Sequence, residues 1–285
     1  MDVSIIIVNY NTLQLTQSCI DSIYRHTEGL EFEVIVIDNN SSDNSKAVLE
    51  QDPRIKYVYS KENMGFGRAN NVGMMLAKGD YFFLLNSDTL LVNNAIKEFY
   101  DKVSSQPQLA FYGGLLLDHS MNVTHSYSNL PTMYSELNSL ISSYALKLLR
   151  GQDKQHLSGF SSNDFFEVGY VTGADLFFNR KLYDKFGGFD SSFFLYYEET
   201  DWQARLKKEG IKSYILQGPS IIHLEGASSK GKNGKKKTLT KKLYEKSKFH
   251  YFDRHYNVVY SYCFRVLYNL LAFPIYLYRS IHDVL

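Results

Sequence analysis

The chain has 285 residues and a mass of 32.9 kDa, enough for one large α/β unit or two average domains. A composition of 44% hydrophobic and 21% charged residues excludes wholesale disorder. With 31 basic against 30 acidic residues the net charge is +1, which argues against a nucleic-acid binder driven by bulk charge.

At the N-terminus, Ser4-Ile5-Ile6-Ile7-Val8 is a β-branched run that gives way to polar Asn9-Tyr10-Asn11-Thr12. It is too short and lacks the basic flank of a signal peptide, so a cytosolic location is expected. Cys19 and Cys263 are the two cysteines, with neither disulfide nor zinc spacing, which suits a reducing compartment. Leu15, Cys19, Ile20 and Ile23 then follow helical spacing. The pattern repeats with a strand at Glu33 to Ile37, a polar loop from Asp38 to Asp43 and a helix through Ala47, Val48 and Leu49. A short strand over 55–59, a helix over 67–78 and a strand over 81–85 follow, the last ending at Asn86-Ser87-Asp88. Continuous apolar strands alternating with amphipathic helices predict a mainly parallel sheet covered on both faces. In such sheets the ligand lies at the carboxyl ends of the strands, where the polar loops after Val8, Ile37 and Leu85 converge.

From Asp118 to about Phe166 the chain is rich in Ser, Asn and His and reads as a substrate-facing insertion, with a modest helix near 137–149. The apolar pattern resumes over 168–178. A helix is expected after Glu198, closing at Gly210, and then a strand over 213–216 leading to Ile221-Ile222-His223. The lysine-rich run from Lys230 to Lys248 reads as a solvated loop entering a helix. Val258 to Tyr278 is apolar and aromatic apart from Ser261, Arg265 and Asn269, expected on one helical face. Arg265, Asn269 and Pro274 argue against a simple transmembrane helix. The segment is expected to lie in a membrane interface, pack into a partner or dock on its own domain. The division expected is a catalytic domain over 1–229, with halves 1–100 and 101–229, and a basic loop with C-terminal helices over 230–285.

Several positions carry chemistry. Asp38 can accept hydrogen bonds from a nucleobase or ribose, or simply cap a helix. Asn63-Met64-Gly65-Phe66-Gly67-Arg68 lacks the third glycine of a dinucleotide fingerprint and does not follow the first strand. It reads as a glycine turn at a helix start that brings backbone N–H groups and Arg68 toward a phosphate. Asp88 is the candidate metal ligand, facing the charge of a diphosphate leaving group, and His223 is the second. A lone histidine after a strand is otherwise an ordinary structural group. Glu198-Glu199-Thr200-Asp201 gathers three acids where aromatic residues give way to a helix. Acids there favour the macrodipole, yet a carboxylate beside apolar walls also gains proton affinity and can act as a general base.

Taken in order, these segments resemble the family 2 glycosyltransferases, in particular rhamnosyltransferase-like bacterial members with a GT-A fold. The resemblance runs through Ser4–Asn11, Val36–Asp43, Asn63–Gly67, Leu85–Asp88, Gly173-Ala174, Gly187–Asp190, Glu198–Asp201 and Ile222-His223, with a looser match at Lys246–Phe249 and Phe252–Tyr256. It implies an inverting hexosyl transfer from a nucleotide-diphosphate donor, dTDP-rhamnose or a UDP-sugar, to an acceptor hydroxyl in polysaccharide or lipid-linked glycan assembly. It also implies a divalent cation, Mn²⁺ or Mg²⁺, held by Asp88 and His223. Asp38 would bind the base and Asn86 the ribose. Asn63, Gly65 and Arg68 would lie near the donor, with Asn9, Tyr10, Asn11, Ser87, Gly173 and Ala174 lining the substrate crevice. Glu199 takes the base position, flanked by Glu198 and Asp201. The family usually has an acid at position 86 or a proline at 87, and Glu-Asp where this chain has Glu198-Glu199. A second reading is an inactive nucleotide-sugar-binding or scaffold protein. The basic C-terminal stretch points to an anionic membrane surface, the inner face of the cell membrane, and an oligomer is open.

Overall fold

The structure is a computed structural model that describes residues 1–106, 108–149, 165–224 and 234–282. The part of the expected insertion at 150–164 and the start of the expected basic loop at 230–233 lie outside the described residues, as do 225–229. In chain order the elements are β1 (Val3–Asn9), α1 (Leu13–His26), β2 (Phe32–Asp38), α2 (Ser45–Leu49), β3 (Ile55–Tyr59), α3 (Phe66–Leu76), β4 (Tyr81–Asn86) and β5 (Thr89–Leu91). Then follow α4 (Ala95–Ser104), β6 (Ala110–Leu117), β7 (Tyr127–Ser128), α5 (Met133–Leu149), β8 (Phe165–Val168), β9 (Tyr170–Val171) and β10 (Asp175–Asn179). The chain continues with α6 (Arg180–Phe186), α7 (Glu198–Lys207), β11 (Lys212–His223), α8 (Gly234–His255) and α9 (Val258–His282).

Two compact units result, Met1–Asn129 with Gly159–Ser247, and Leu130–Ser158 with Lys248–Leu285. The sequence reading sets its boundary at residue 229 instead. The second unit draws in α5 because that helix packs along α9.

The first unit is built on a nine-stranded sheet in the order β3-β2-β1-β4-β10-β6-β11-β5, with β8 pairing β11 off this path. β3, β2, β1 and β4 are parallel, β10 runs antiparallel between β4 and β6, and β11 is parallel to β6. The fold is therefore the mostly parallel α/β arrangement expected. Period-two alternation explains the continuous apolar runs. Ile5, Ile7, Val34, Val36, Phe83 and Leu85 face α1 and α4, while Ile6, Ile35, Ile37, Phe82 and Leu84 face α3 and α7. Both faces are buried, so a polar residue within these strands must find a partner, as the Ser4 hydroxyl does by donating to Glu33 Oε1 at 2.7 Å.

Register then sets the working edge. Asn9 pairs with Asp38, Val8 with Asn86, and Asp38 with Tyr59, so three loops leave the sheet side by side. β10 starts at Asp175 opposite Leu85, and β11 ends at His223 opposite Thr89. The expected strand over 213–216 and the Ile221-His223 run are one strand, β11, irregular between Ile215 and Ser220.

Asp175 is an acid wholly inside this sheet. Its Oδ2 accepts from the Gly114 N–H at 2.6 Å, its Oδ1 has no hydrogen-bond partner, and burial holds its carboxyl well above the usual range. The folded chain thus keeps this proton to higher pH than the unfolded chain, and folding stability falls as pH rises from the ordinary carboxylate value through the raised one. Asp175→Asn is expected to flatten that slope and to be at least as stable as wild type at neutral pH. Urea unfolding across pH 5 to 8 checks this.

The second unit packs aromatic rings. Phe252 stacks on Phe264 at 3.8 Å and on Tyr256 at 5.2 Å, and buried Lys248 pairs with Glu136 at 2.6 Å. The expected polar face of α9 is not a single solvent face. Ser261 is buried and donates to the Phe252 carbonyl, whereas Arg265 is exposed and pairs with Asp253. Along α9 the buried line is Ser261, Phe264, Tyr268 and Ala272, and Val258, Val259, Tyr262, Leu270 and Phe273 stay exposed. Among the described residues no helix is long and apolar enough to cross a membrane.

Candidate active site

The first wall of the site is the hydrogen-bonded edge of β1 and β2. Buried Asn9 accepts from Thr12 and Thr16 hydroxyls at 2.9 and 2.8 Å and donates to Ser41 Oγ at 3.0 Å. Asn11, in left-handed backbone, accepts from the Ser42 and Asp43 N–H groups and so ties the two loops together. Asp38 is fully buried, with Oδ1 accepting from the Ser41 N–H at 2.8 Å and Oδ2 from the Tyr57 hydroxyl at 2.6 Å. Tyr10 is 45% exposed beside them.

The glycine turn comes next. Asn39 donates to Asn63 Oδ1 at 2.9 Å and accepts from the Met64 N–H at 2.8 Å, and Asn63 accepts from the Gly65 N–H. Gly65 has φ +86°, and a Cβ there would lie 2.1 Å from the Phe194 carbonyl oxygen, so this position requires glycine. The Phe66 N–H donates to that same carbonyl at 3.0 Å. A Cβ on Gly67 would meet Phe189 at 3.0 Å and Glu198 at 3.4 Å. The start of α3 is thereby pressed against the acidic segment. Arg68 donates through Nε to the Ser191 carbonyl at 2.8 Å, bracing that segment from its other side.

Asp88 and His223 are adjacent, as expected. Their contact, Nε2 to Oδ1, is 3.3 Å, and the Leu224 N–H donates to the Asp88 carbonyl at 2.9 Å. The antiparallel pairing of β5 with β11 enforces this approach. His223 Nδ1 is buried with no hydrogen-bond partner. Two ligand atoms at right angles around a small dication, each about 2.1 Å away, stand about 3 Å apart, so the pair fits one such ion. No cluster of three metal-ligating side chains occurs among the described residues.

The acids open α7, and packing fixes them. Trp202 is fully buried against Phe111, Phe178 and Phe189, with ring centroids 4.7 to 5.1 Å away. Gln203 makes both hydrogen bonds to the Val171 backbone at 2.8 Å. Asp201 is wholly buried and paired with Arg205 at 2.8 Å, and Arg205 also donates to the Gly188 carbonyl. Tyr196 and Tyr197 precede the helix with φ +69° and +66°. Two such residues in left-handed backbone cost roughly 1–3 kcal/mol each.

Glu198 is buried, its Oε2 has no hydrogen-bond partner, and burial followed by the charge of Glu199 holds its carboxyl well above the usual range. Glu199 is partly exposed, and desolvation raises it too, opposed by backbone N–H groups at the helix start. A short path links Glu199 to the Asp88 loop. A Cβ on Gly173 would lie 3.7 Å from the Glu199 Cβ and Cγ, and the Asn86 N–H donates to the Ala174 carbonyl at 2.9 Å. Ser87 Oγ meets Thr12 Oγ1 at 3.1 Å, closing the circuit back to the β1 loop.

Asn9, Asp38, Asn86, Asp88 and His223 thus lie at or beside strand ends along one sheet edge, while Arg68 turns to the Ser191 carbonyl and Asp201 to Arg205. Sequence reasoning missed Thr12, Thr16, Asn39, Ser41 and Tyr57, which hold the loops, although each flanks or faces a position it named. Asp175 was hidden because a lone acid in an apolar run gives no pattern.

The solved structures that superpose on this mostly parallel sheet are glycosyltransferases, and the fold is the GT-A fold of sugar-nucleotide transferases. A family model described as glycosyl transferase family 2 matches residues 4–162, and the chain belongs to that family. An N-acetylglucosaminyl-diphospho-decaprenol L-rhamnosyltransferase of Mycobacterium tuberculosis is 24% identical over 219 residues, covering 69% of this chain and 67% of that enzyme. Among solved structures, S. aureus TarS 1–349 in complex with UDP superposes with a TM-score of 0.55 at 14% identity, covering 79% of this chain and 60% of that one. Mannosyltransferase PcManGT from Pyrobaculum calidifontis, with GDP-Man and Mn²⁺, gives 0.50 at 17% identity, covering 78% and 56%. The matched stretch is therefore under two thirds of each solved chain.

Proposed function

We propose that this chain transfers a sugar, with inversion, from a nucleoside-diphosphate donor, dTDP-rhamnose or a UDP-sugar, to an acceptor hydroxyl of a glycan or lipid-linked glycan. The observation that carries the reading is the path from Glu199 through Gly173-Ala174 and Asn86 to the Asp88–His223 pair. Glu199 takes the proton from the acceptor hydroxyl, whose oxygen forms the new bond to the sugar's anomeric carbon. The bond to the diphosphate breaks with its electron pair going to the leaving group. A divalent cation, Mn²⁺ or Mg²⁺, would be held by Asp88 and His223 and would offset the charge of that diphosphate. Asn86 faces the ribose and Arg68 the phosphate side, while the Gly65 and Phe66 N–H groups, held by Asn63 and the Phe194 carbonyl, shape the turn between them. Asp38, buried and already accepting two bonds, serves by shaping the base-side loop beside Asn9, Tyr10 and Asn11. Asp201 is engaged by Arg205, which supports Glu199 as the base.

The test is a panel of UDP-, dTDP- and GDP-sugars with Mn²⁺ or Mg²⁺, assayed for donor hydrolysis and for transfer. Binding of a donor without either activity would favour the inactive scaffold instead. The similarity to an N-acetylglucosaminyl-diphospho-decaprenol L-rhamnosyltransferase supports a lipid-linked acceptor. The exposed apolar residues of α9 support attachment to the inner face of an anionic membrane. Sedimentation with phosphatidylglycerol vesicles is expected to bring down the wild type at low salt and to leave Leu270→Asp/Phe273→Asp in solution. Equal behaviour of the two proteins would exclude attachment through α9.

A further inference from the structure

The strained Tyr196–Tyr197 turn directly before the acids is not explained by catalysis at Glu199 alone. Both residues are in left-handed backbone, and the segment is held from two sides. The Phe66 N–H donates to the Phe194 carbonyl at 3.0 Å, and Ser247 Oγ of α8 donates to the Leu195 carbonyl at 2.8 Å. Tyr244, also on α8, packs edge-on to Tyr196 with ring centroids 5.5 Å apart and against Tyr197 at 5.4 Å. Tyr197 is buried, Tyr196 is partly exposed, and Tyr244 is 39% exposed. The turn therefore buries the Tyr197 ring and leaves the Tyr196 ring, beside Tyr244, partly in solvent. Backbone strain retained against the packing preference is a sign of function.

We infer that Tyr196 and Tyr244 form the acceptor subsite, a platform for the apolar face of a pyranose. This rests on the glycosyl-transfer reading and adds the substrate class to it. A pyranose has C–H groups on its faces and hydroxyls around its rim, so an amphipathic ring such as tyrosine can cover the face while leaving the rim free. A ring held there places a rim hydroxyl on the side of the chain that runs on into Glu198 and Glu199. The donor is not the occupant, because its nucleotide is served by the loops after β1, β2 and β4. A lipid tail is disfavoured because it would desolvate the neighbouring carboxylates without offering them a hydrogen bond.

The experiment uses saturation-transfer NMR on the full chain with UDP and Mn²⁺. Its probes are the methyl glycosides of glucose, galactose, N-acetylglucosamine and rhamnose, offered to wild type, Tyr244→Ala, Tyr244→Leu and Tyr244→Trp. Leucine keeps the helix packed without a ring, and UDP affinity reports folding in every variant. The expected result is that at least one glycoside binds wild type and Tyr244→Trp alike. The alanine and leucine variants should bind it about tenfold more weakly, with UDP affinity unchanged. Wild-type binding by the leucine variant, loss of UDP affinity in step with the glycoside, or no glycoside bound by wild type would each overturn the platform. Donor hydrolysis in the same samples tests the transfer reading separately. Hydrolysis without glycoside binding removes the platform alone, whereas glycoside binding with no donor turned over removes its acceptor role.

Discussion

Glu199→Gln is expected to lower turnover by about two orders of magnitude or more, the effect of removing a general base, while donor affinity stays close to wild type. Glutamine keeps the size of the side chain and its contact with Gly173, but it cannot take a proton. The packing below it is untouched, since Trp202, Gln203 and the Asp201–Arg205 pair fix α7 independently. The pH profile separates this from a structural effect. Because desolvation raises the Glu199 carboxyl, the acid limb of kcat in the wild type should lie above the ordinary carboxylate range. Activity there requires the ionised form, so it rises as pH passes the raised value. The glutamine variant should lack that limb. Full activity in Glu199→Gln would move the role to another acid.

Asp88→Ala is expected to abolish metal-dependent donor turnover and to weaken Mn²⁺ binding in the presence of UDP more than about a hundredfold, beyond what loss of a supporting group costs. The reason is arithmetic of ligands. Asp88 and His223 are two side chains at one position, and removing one leaves His223 alone. Electron paramagnetic resonance of bound Mn²⁺ reads the affinity directly, and UDP titration without metal shows whether the crevice is intact. Mn²⁺ affinity equal to wild type would place the cation elsewhere.

Much of this site was legible because its chemistry follows strands that read plainly. β1, β2 and β4 are buried on both faces, so their apolar runs end abruptly where the polar loops begin, at Asn9, Asp38 and Asn86. The acids after Tyr197 were legible for the same reason, as a sharp change from aromatic to charged. β6 was not. Its Gly113-Gly114 pair suggests a turn, yet a Cβ on Gly113 would lie 2.3 Å from Val171 Cγ1, and the glycines exist to let β9 and Asp175 approach. The difference in surroundings among Glu198, Glu199 and Asp201 was equally hidden. It depends on which carboxylate meets Arg205, a contact that spacing along α7 permits but does not require. The outward face of α9 escaped detection because Ser261, polar in sequence, finds a carbonyl inside the second unit.

The position of β10 carries a consequence for how the protein is made. It pairs β4 on one side and β6 on the other, although it comes after both in the chain. A nascent chain that has emerged only through β6 holds an open strand edge on β4, rich in phenylalanine and leucine, with nothing yet able to close it. Ribosome-bound intermediates of that length are thus the stage most exposed to aggregation and to chaperone capture, and a fragment ending near residue 100 inherits the same vulnerability permanently.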